Sequence, residues 1–207
     1  RRHFSTKIDG MVSRLPQLMP RKLQPPRQSF FLFGPRGSGK STWVRQHFGR
    51  APRFDLLDQA LYQDLLLQPS LFADQLRGLK PRTWVVVDEV QRLPSLLNEV
   101  HRAIEARELR FVLCGSSARR LHRAGVNLLG GRALRKAMHP FLPSELEGRF
   151  QLDDALRVGT LPVVLGSPDP EGTLQGYVTN YLREEIQAEA LVRNLGIAEI
   201  VGQFMAA

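Results

Sequence analysis

Phe30-Phe31-Leu32-Phe33-Gly34-Pro35-Arg36-Gly37-Ser38-Gly39-Lys40-Ser41-Thr42 is the stretch from which the fold is read. An apolar run of strand length feeds a glycine-rich loop, and a helix-compatible run from Thr42 to Phe48 follows. The loop fits the pattern G-x-x-x-x-G-K-[ST] at Gly34, Gly39, Lys40 and Ser41. Glycines at 34, 37 and 39 permit backbone angles and close approaches that a Cβ blocks. The N–H groups of such a loop, with a helix N-terminus behind them, form a concave anion site. Gly34, Pro35, Arg36, Gly37, Ser38, Gly39, Lys40, Ser41 and Thr42 are therefore the candidate phosphate-binding residues. Lys40 is expected to bring its ammonium between the β- and γ-phosphates. Ser41 is expected to offer a hydroxyl to Mg²⁺, which keeps most of its water. The plainer alternative, a glycine turn with an accidental lysine, leaves the strand before it and the helix after it as coincidences.

Downstream, Arg53 to Leu57 reads as a second strand, and helical runs occupy 56–67 and 70–79, broken at Pro69. Trp84-Val85-Val86-Val87 is a fully apolar run, as expected of a buried parallel strand, and ends in Asp88-Glu89. A helix from Pro94 to about Arg107 carries Leu96, Leu97, Val100 and Ile104 on one face. Phe111-Val112-Leu113-Cys114 is another buried strand, closed by Gly115-Ser116-Ser117, and a short basic helix is expected over 118–124. A last strand, 132–138, follows Gly130-Gly131. Strands alternating with helices predict a parallel sheet covered on both faces, with ligands at the carboxyl ends of the strands. The loop, Asp88-Glu89 and Ser116-Ser117 all fall at such ends.

Each of these residues has a chemical reading and a plain one. Asp88 is expected to hold the Mg²⁺ water shell with Ser41, and Glu89 to polarise an attacking water. Adjacent buried acids cost desolvation unless a cation or strong hydrogen bonds compensate; plainly, they are a strand's solvated end. Ser116 reads as a hydroxyl facing the γ-phosphate or the water, and plainly as a helix cap. Arg119, Arg120, Arg123, Arg132 and Arg135 are candidates for an arginine that spreads transition-state charge, with Arg132 preferred. The plain reading of Arg132 is a local salt bridge.

Composition limits the rest. The 207 residues carry a net charge of +9, but residues 1–29 alone hold +6 of it. The remainder is near neutral, so a nucleic-acid partner is not called for. No run approaches a membrane span. The lone cysteine, Cys114, excludes a disulfide framework and fits a cytoplasmic setting. Pro16, Pro20, Pro25 and Pro26 mark residues 1–28 as an extended, basic lead-in, and the first 18 are expected to be dispensable for folding. Beyond Pro143, Leu152 to Val158 is helical, Gly159-Thr160-Leu161-Pro162 turns, and Glu171 to Asn194 reads as one long helix. Helical spacing runs to the end without a stop signal, so the natural chain is expected to continue past Ala207.

FFLFGPRGSGKST, WVVVDEVQRLPSLL, FVLCGSSARRL, GGRALRKAMHPF and GTLPVVL, in this order, resemble prokaryotic AAA-superfamily ATPases that carry a C-terminal domain of unknown function. YVTNYLREEIQAEALVRN resembles the start of that further domain. Val163 departs from the acidic residue that often follows the proline of GTLP. The resemblance implies an α/β P-loop NTPase with a central, mostly parallel five-stranded sheet sandwiched by helices, plus a C-terminal helical segment. The likeness spans about Met19 to Phe204, and the expected division is a lead-in at 1–28, the ATPase core at 29–142 and the helical extension, start of a truncated C-terminal domain, at 143–207. It implies ATP and Mg²⁺ as cofactors, with Glu89, Lys40, Ser116 and Arg132 in catalytic roles and Ser41 and Asp88 at the metal. An ATPase driving a conformational cycle is the leading reading; a nucleotide-dependent switch with negligible turnover is the alternative. A protein partner through the C-terminal region and self-assembly into a homo-oligomer are further expectations, with no membrane association.

Overall fold

Side-chain direction alternates along each inner strand, so that each short apolar run feeds two cores at once. The structure is a computed structural model and describes residues 19–116, 121 and 129–182. Strands β1 (Phe30–Phe33), β2 (Arg53–Asp55), β3 (Trp84–Asp88), β4 (Arg110–Gly115) and β5 (Leu134–Ala137) form one sheet in the order β2-β3-β4-β1-β5. Every pairing is parallel, so the expectation of a mostly parallel five-stranded sheet is met by a wholly parallel one. Phe31, Val85, Val87, Phe111 and Leu113 point to one face, and Phe30, Leu32, Val86, Val112 and Cys114 to the other. That period of two follows from the pleat. Burial on both faces explains why β3 and β4 read as unbroken apolar runs.

Helix α1 (Lys40–Phe48) covers the second face with Trp43, Val44 and Phe48. The first face is covered by α2 (Gln59–Leu67), α3 (Ser70–Arg77) and α4 (Leu96–Arg107), through Leu65, Phe72, Leu76, Leu97 and Val100. Each such apolar side chain, fully buried, is worth about 1.5–3 kcal/mol. Cys114 is wholly buried in β4, and this burial, followed by the Asp88 carboxylate, pushes its thiol pKa far up.

Strand β2 stops at Asp55 rather than Leu57 because the Asp55 carboxylate accepts the Leu57 N–H at 2.9 Å and turns the chain. Asp58 then caps α2 by accepting from Ala60 and Leu61. The helix expected from Pro94 starts at Leu96, and β5 is shorter than the 132–138 expected. The short helix expected at 118–124 lies outside the described residues, apart from Leu121.

Contacts divide the chain into two units: Leu23–Pro35 with Gly39–His139, and Arg1–Lys22 with Arg36–Ser38 and Pro140–Ala207. The first unit is the sheet and helices above. In the second lie α5 (Pro143–Leu146), α6 (Leu152–Val158), α7 (Pro162–Leu165) and α8 (Pro170–Gly176). Phe141, Leu146, Val158, Val164 and Leu165 form its core. Of the helix expected over Glu171–Asn194, the described part is α8 running directly into a π-helical turn, Tyr177–Leu182, and positions 183–194 lie outside the described residues.

Candidate nucleotide site

At the carboxyl edge the parallel register lines up the chemistry. Phe33, the last residue of β1, pairs with Gly115 at the end of β4. Asp88 at the end of β3 pairs with Asp55 at the end of β2. Across this edge the chain therefore presents Asp55, then Asp88 and Glu89, then Ser116, then Gly34. Asp88–Glu89 and Ser116 follow adjacent strands, and Gly34 leaves the next.

Gly39 sits before α1 in the left-handed region (φ 91°), where only glycine is unstrained. The first helical bond runs from Trp43 N–H to the Gly39 carbonyl at 3.0 Å. The N–H groups of Lys40, Ser41 and Thr42 thus have no acceptor within the helix. No side chain caps this end, and no acid lies in its first turn. The positive end of the α1 dipole is left for an outside anion. Lys40 is buried, and its Nζ bonds the carbonyls of Gly34 at 2.5 Å and Pro35 at 2.9 Å. Its ammonium is thereby folded onto the loop that it must serve. Ser41 is exposed at the first turn.

Arg36, Gly37 and Ser38 have their contacts in the second unit. Val163 N–H donates to the Gly37 carbonyl at 3.3 Å, and Tyr177 Oη donates to the Arg36 carbonyl at 3.2 Å. Arg21 Nη1 donates to the Ser38 carbonyl at 2.7 Å. Gly37 has φ 72°, and a Cβ there would run into the Val163 side chain. Ser38 Oγ is buried with no partner, a polar group that a phosphate oxygen would satisfy.

Asp88 is nearly buried, and burial pushes its carboxyl pKa up, helped by the carboxylates of Glu89 and Asp55. Arg53, at 3.6 Å, and the Glu89 N–H pull it down by less. Among the described residues no three acidic, histidine or cysteine side chains are grouped to hold a metal ion, so a Mg²⁺ here would draw on Asp88, the Ser41 hydroxyl, phosphate oxygens and its own water. Glu89 adopts the left-handed conformation, φ 54° and ψ 42°, which is strained for a residue with a Cβ. If a nucleotide phosphate chain and Mg²⁺ bind here, Gly34–Thr42 are the residues that would hold the phosphates, and Ser41 and Asp88 those that would hold the metal.

Arg132 is placed elsewhere. It precedes β5, whose Leu134 pairs with Phe30 at the start of β1, so it stands at the amino edge, away from the loop that follows Phe33. It pairs with Glu105, and its Nη1 donates to the Gly130 carbonyl at 3.2 Å. These contacts fit the plain reading of Arg132 as a local ion pair. The signal was present in the sequence, since a residue ahead of a parallel strand must lie at the edge opposite the ligand. Ser117, Arg119, Arg120 and Arg123 lie outside the described residues. Sequence reasoning missed Arg53, Asp55 and Gln91, which gain meaning only from neighbouring strands.

A parallel sheet with this loop after an inner strand and an acidic pair two strands away defines a P-loop nucleotide-binding core. The family model for the AAA domain matches residues 26–147, more than half of the chain, and the chain belongs to that family. AAA membership implies ATP binding. No curated protein matches the chain. Among solved structures it is similar to a chain in the structure of Drosophila ORC bound to DNA (TM-score 0.41, 15% identity, covering 89% of this chain and 62% of that one). It is also similar to a chain in the crystal structure of Pif1 helicase from Candida albicans (TM-score 0.32, 14% identity, covering 74% and 44%). The chain thus spans less than two thirds of the length of either neighbour. Among the described residues no helix is long and apolar enough to cross a membrane.

Proposed function

We propose that this chain is a Mg²⁺-dependent ATPase whose turnover drives a conformational cycle, relayed to a protein partner through the C-terminal region. The observation that carries the reading is the succession along one sheet edge of Asp88 and Glu89, Ser116 and the phosphate loop. Lys40 neutralises phosphate charge, and its two loop carbonyls hold it ready. Ser41 and Asp88 would hold the metal, which would supply charge neutralisation to the phosphate chain. Glu89 polarises the attacking water, and Ser116 addresses the γ-phosphate or that water. Asp88 is the last residue of β3 and Glu89 stands in the left-handed turn after it, and on this reading the first takes the metal and the second the water.

Glu89→Gln tests this, because it keeps size and hydrogen bonding and removes the charge. It is expected to bind Mg-ATP like wild type and to lose roughly 10²–10⁴ in single-turnover hydrolysis. Hydrolysis within about threefold of wild type at saturating ATP would remove Glu89 from the mechanism.

A further inference from the structure

Gln91 lies two residues beyond Glu89, in a short 3₁₀ turn, Val90–Arg92, anchored by the buried Val90. The turn folds the Gln91 side chain back along the chain. Its Nε2 donates to the Glu89 carboxylate and reaches Ser116 Oγ at 3.4 Å. One amide thus touches the candidate base at the end of β3 and the candidate hydroxyl at the end of β4. The reverse amide orientation would set an oxygen against the Glu89 carboxylate, acceptor against acceptor, so the chemistry selects this one.

Two further features bear on this amide. Gly115 closes β4, and a Cβ there would lie 2.5 Å from Gln91 Oε1. That same Oε1 is buried without a partner, a cost that the fold accepts to place the donor end. Glu89 is also held from its backbone. Its N–H donates to Asp88 Oδ1 at 3.2 Å, and its carbonyl accepts from Arg92 N–H at 2.9 Å. The strained Glu89 backbone and the Gln91 amide together leave the carboxylate little freedom.

We propose that Gln91 is a positioning residue for ATP hydrolysis, holding the Glu89 carboxylate in register with the Ser116 hydroxyl so that the two strand ends act together. The proposal rests on the ATPase reading above. It assigns a role to the residue that joins two elements of that site.

Gln91→Leu in the 207-residue chain keeps much of the side-chain volume and removes the amide. Mg-ATP affinity is expected to stay within about threefold, while the single-turnover rate falls about 10²-fold, the loss that misplacement of a reacting group brings. Gly115→Ala reaches the same end by pushing the amide away, and carries the test if Gln91→Leu does not fold. In a Gln91→Ala background, Gly115→Ala is expected to add no loss, and Ser116→Ala added to Gln91→Leu less than its effect alone. A purely structural amide would lower the unfolding temperature without separating rate from affinity. Folded Gln91→Leu and Gly115→Ala proteins that hydrolyse at or above the wild-type rate would overturn the proposal. If Glu89→Gln is inactive in the same assay, only the Gln91 role has failed. If Glu89→Gln keeps wild-type turnover, or wild type has none, the ATPase reading falls and takes the proposal with it.

Discussion

Lys40 shows how much of the site one side chain can carry. Its ammonium bonds two carbonyls of its own loop from a buried position, so the folded chain has already met much of the cost of desolvating it. Removing the charge by Lys40→Ala deletes charge-assisted bonds worth about 1.5–3 kcal/mol each. Equilibrium titration is expected to show Mg-ATP binding weakened by roughly 10-fold to more than 100-fold. Wild-type affinity in a folded Lys40→Ala protein would exclude the phosphate-loop reading. The spacing of glycines, lysine and serine made this residue legible, because the motif is local and its physical demands fall within eight positions. Gln91 was not legible. Its partners come from a turn and a neighbouring strand, and neither periodicity nor motif points at a lone glutamine. Arg132 stands at the edge on which its parallel strand begins, in a local ion pair with Glu105.

At the scale of single elements, helix ends give the sharpest expectations. Helix α4 ends at Glu108, whose φ of 53° is left-handed and whose N–H bonds the Ile104 carbonyl at 3.2 Å. Glycine is the residue suited to that cap. Glu108→Gly gives up only an exposed ion pair to Arg82, of little worth. It is expected to stabilise the protein by about 0.5–1 kcal/mol, read as a higher denaturant midpoint. The start of α5 is set by Glu145. Burial by itself would push this carboxyl up, but the N–H groups of Leu142 and Lys22 and the Arg21 guanidinium hold it below its ordinary 4.5. The folded pKa is depressed, so its stabilisation is present above about pH 4.5 and is lost as pH falls through the folded value. Denaturant melts from about pH 6 to about pH 3 should therefore steepen less with acid in Glu145→Gln than in wild type. An unchanged pH slope would mean that the carboxyl is not held. Arg21 and Lys22 read as part of a basic lead-in because charge and proline were all that the sequence showed. The carboxylate they share, Glu145, lies more than 120 positions away.

For the molecule as a whole, the sheet was legible because its inner strands are apolar throughout and the helices alternate with them. Strand order was less so. Nothing in the runs 84–87 and 111–114 says that both strands insert between β2 and β1. The π-helical turn at Tyr177–Leu182 was not foreseen either, since its side chains keep a spacing that an α-helix would also satisfy. The chain's one cysteine turns this architecture into a clock. Cys114 lies on an inner strand with no exposed surface and a thiol held protonated, so a disulfide reagent can reach it only when the sheet opens. The rate of thiol modification in native buffer then reads the free energy of that opening without added denaturant. ATP at about 100 times its dissociation constant stabilises the folded state by about 2.7 kcal/mol, so labelling should slow by about 100-fold. Labelling that is fast, or indifferent to nucleotide, would mean that β4 opens apart from the site at its end. A single sulfur, inert in any chemistry proposed above, would thus report nucleotide occupancy from inside the protein, with no dye attached and no residue replaced.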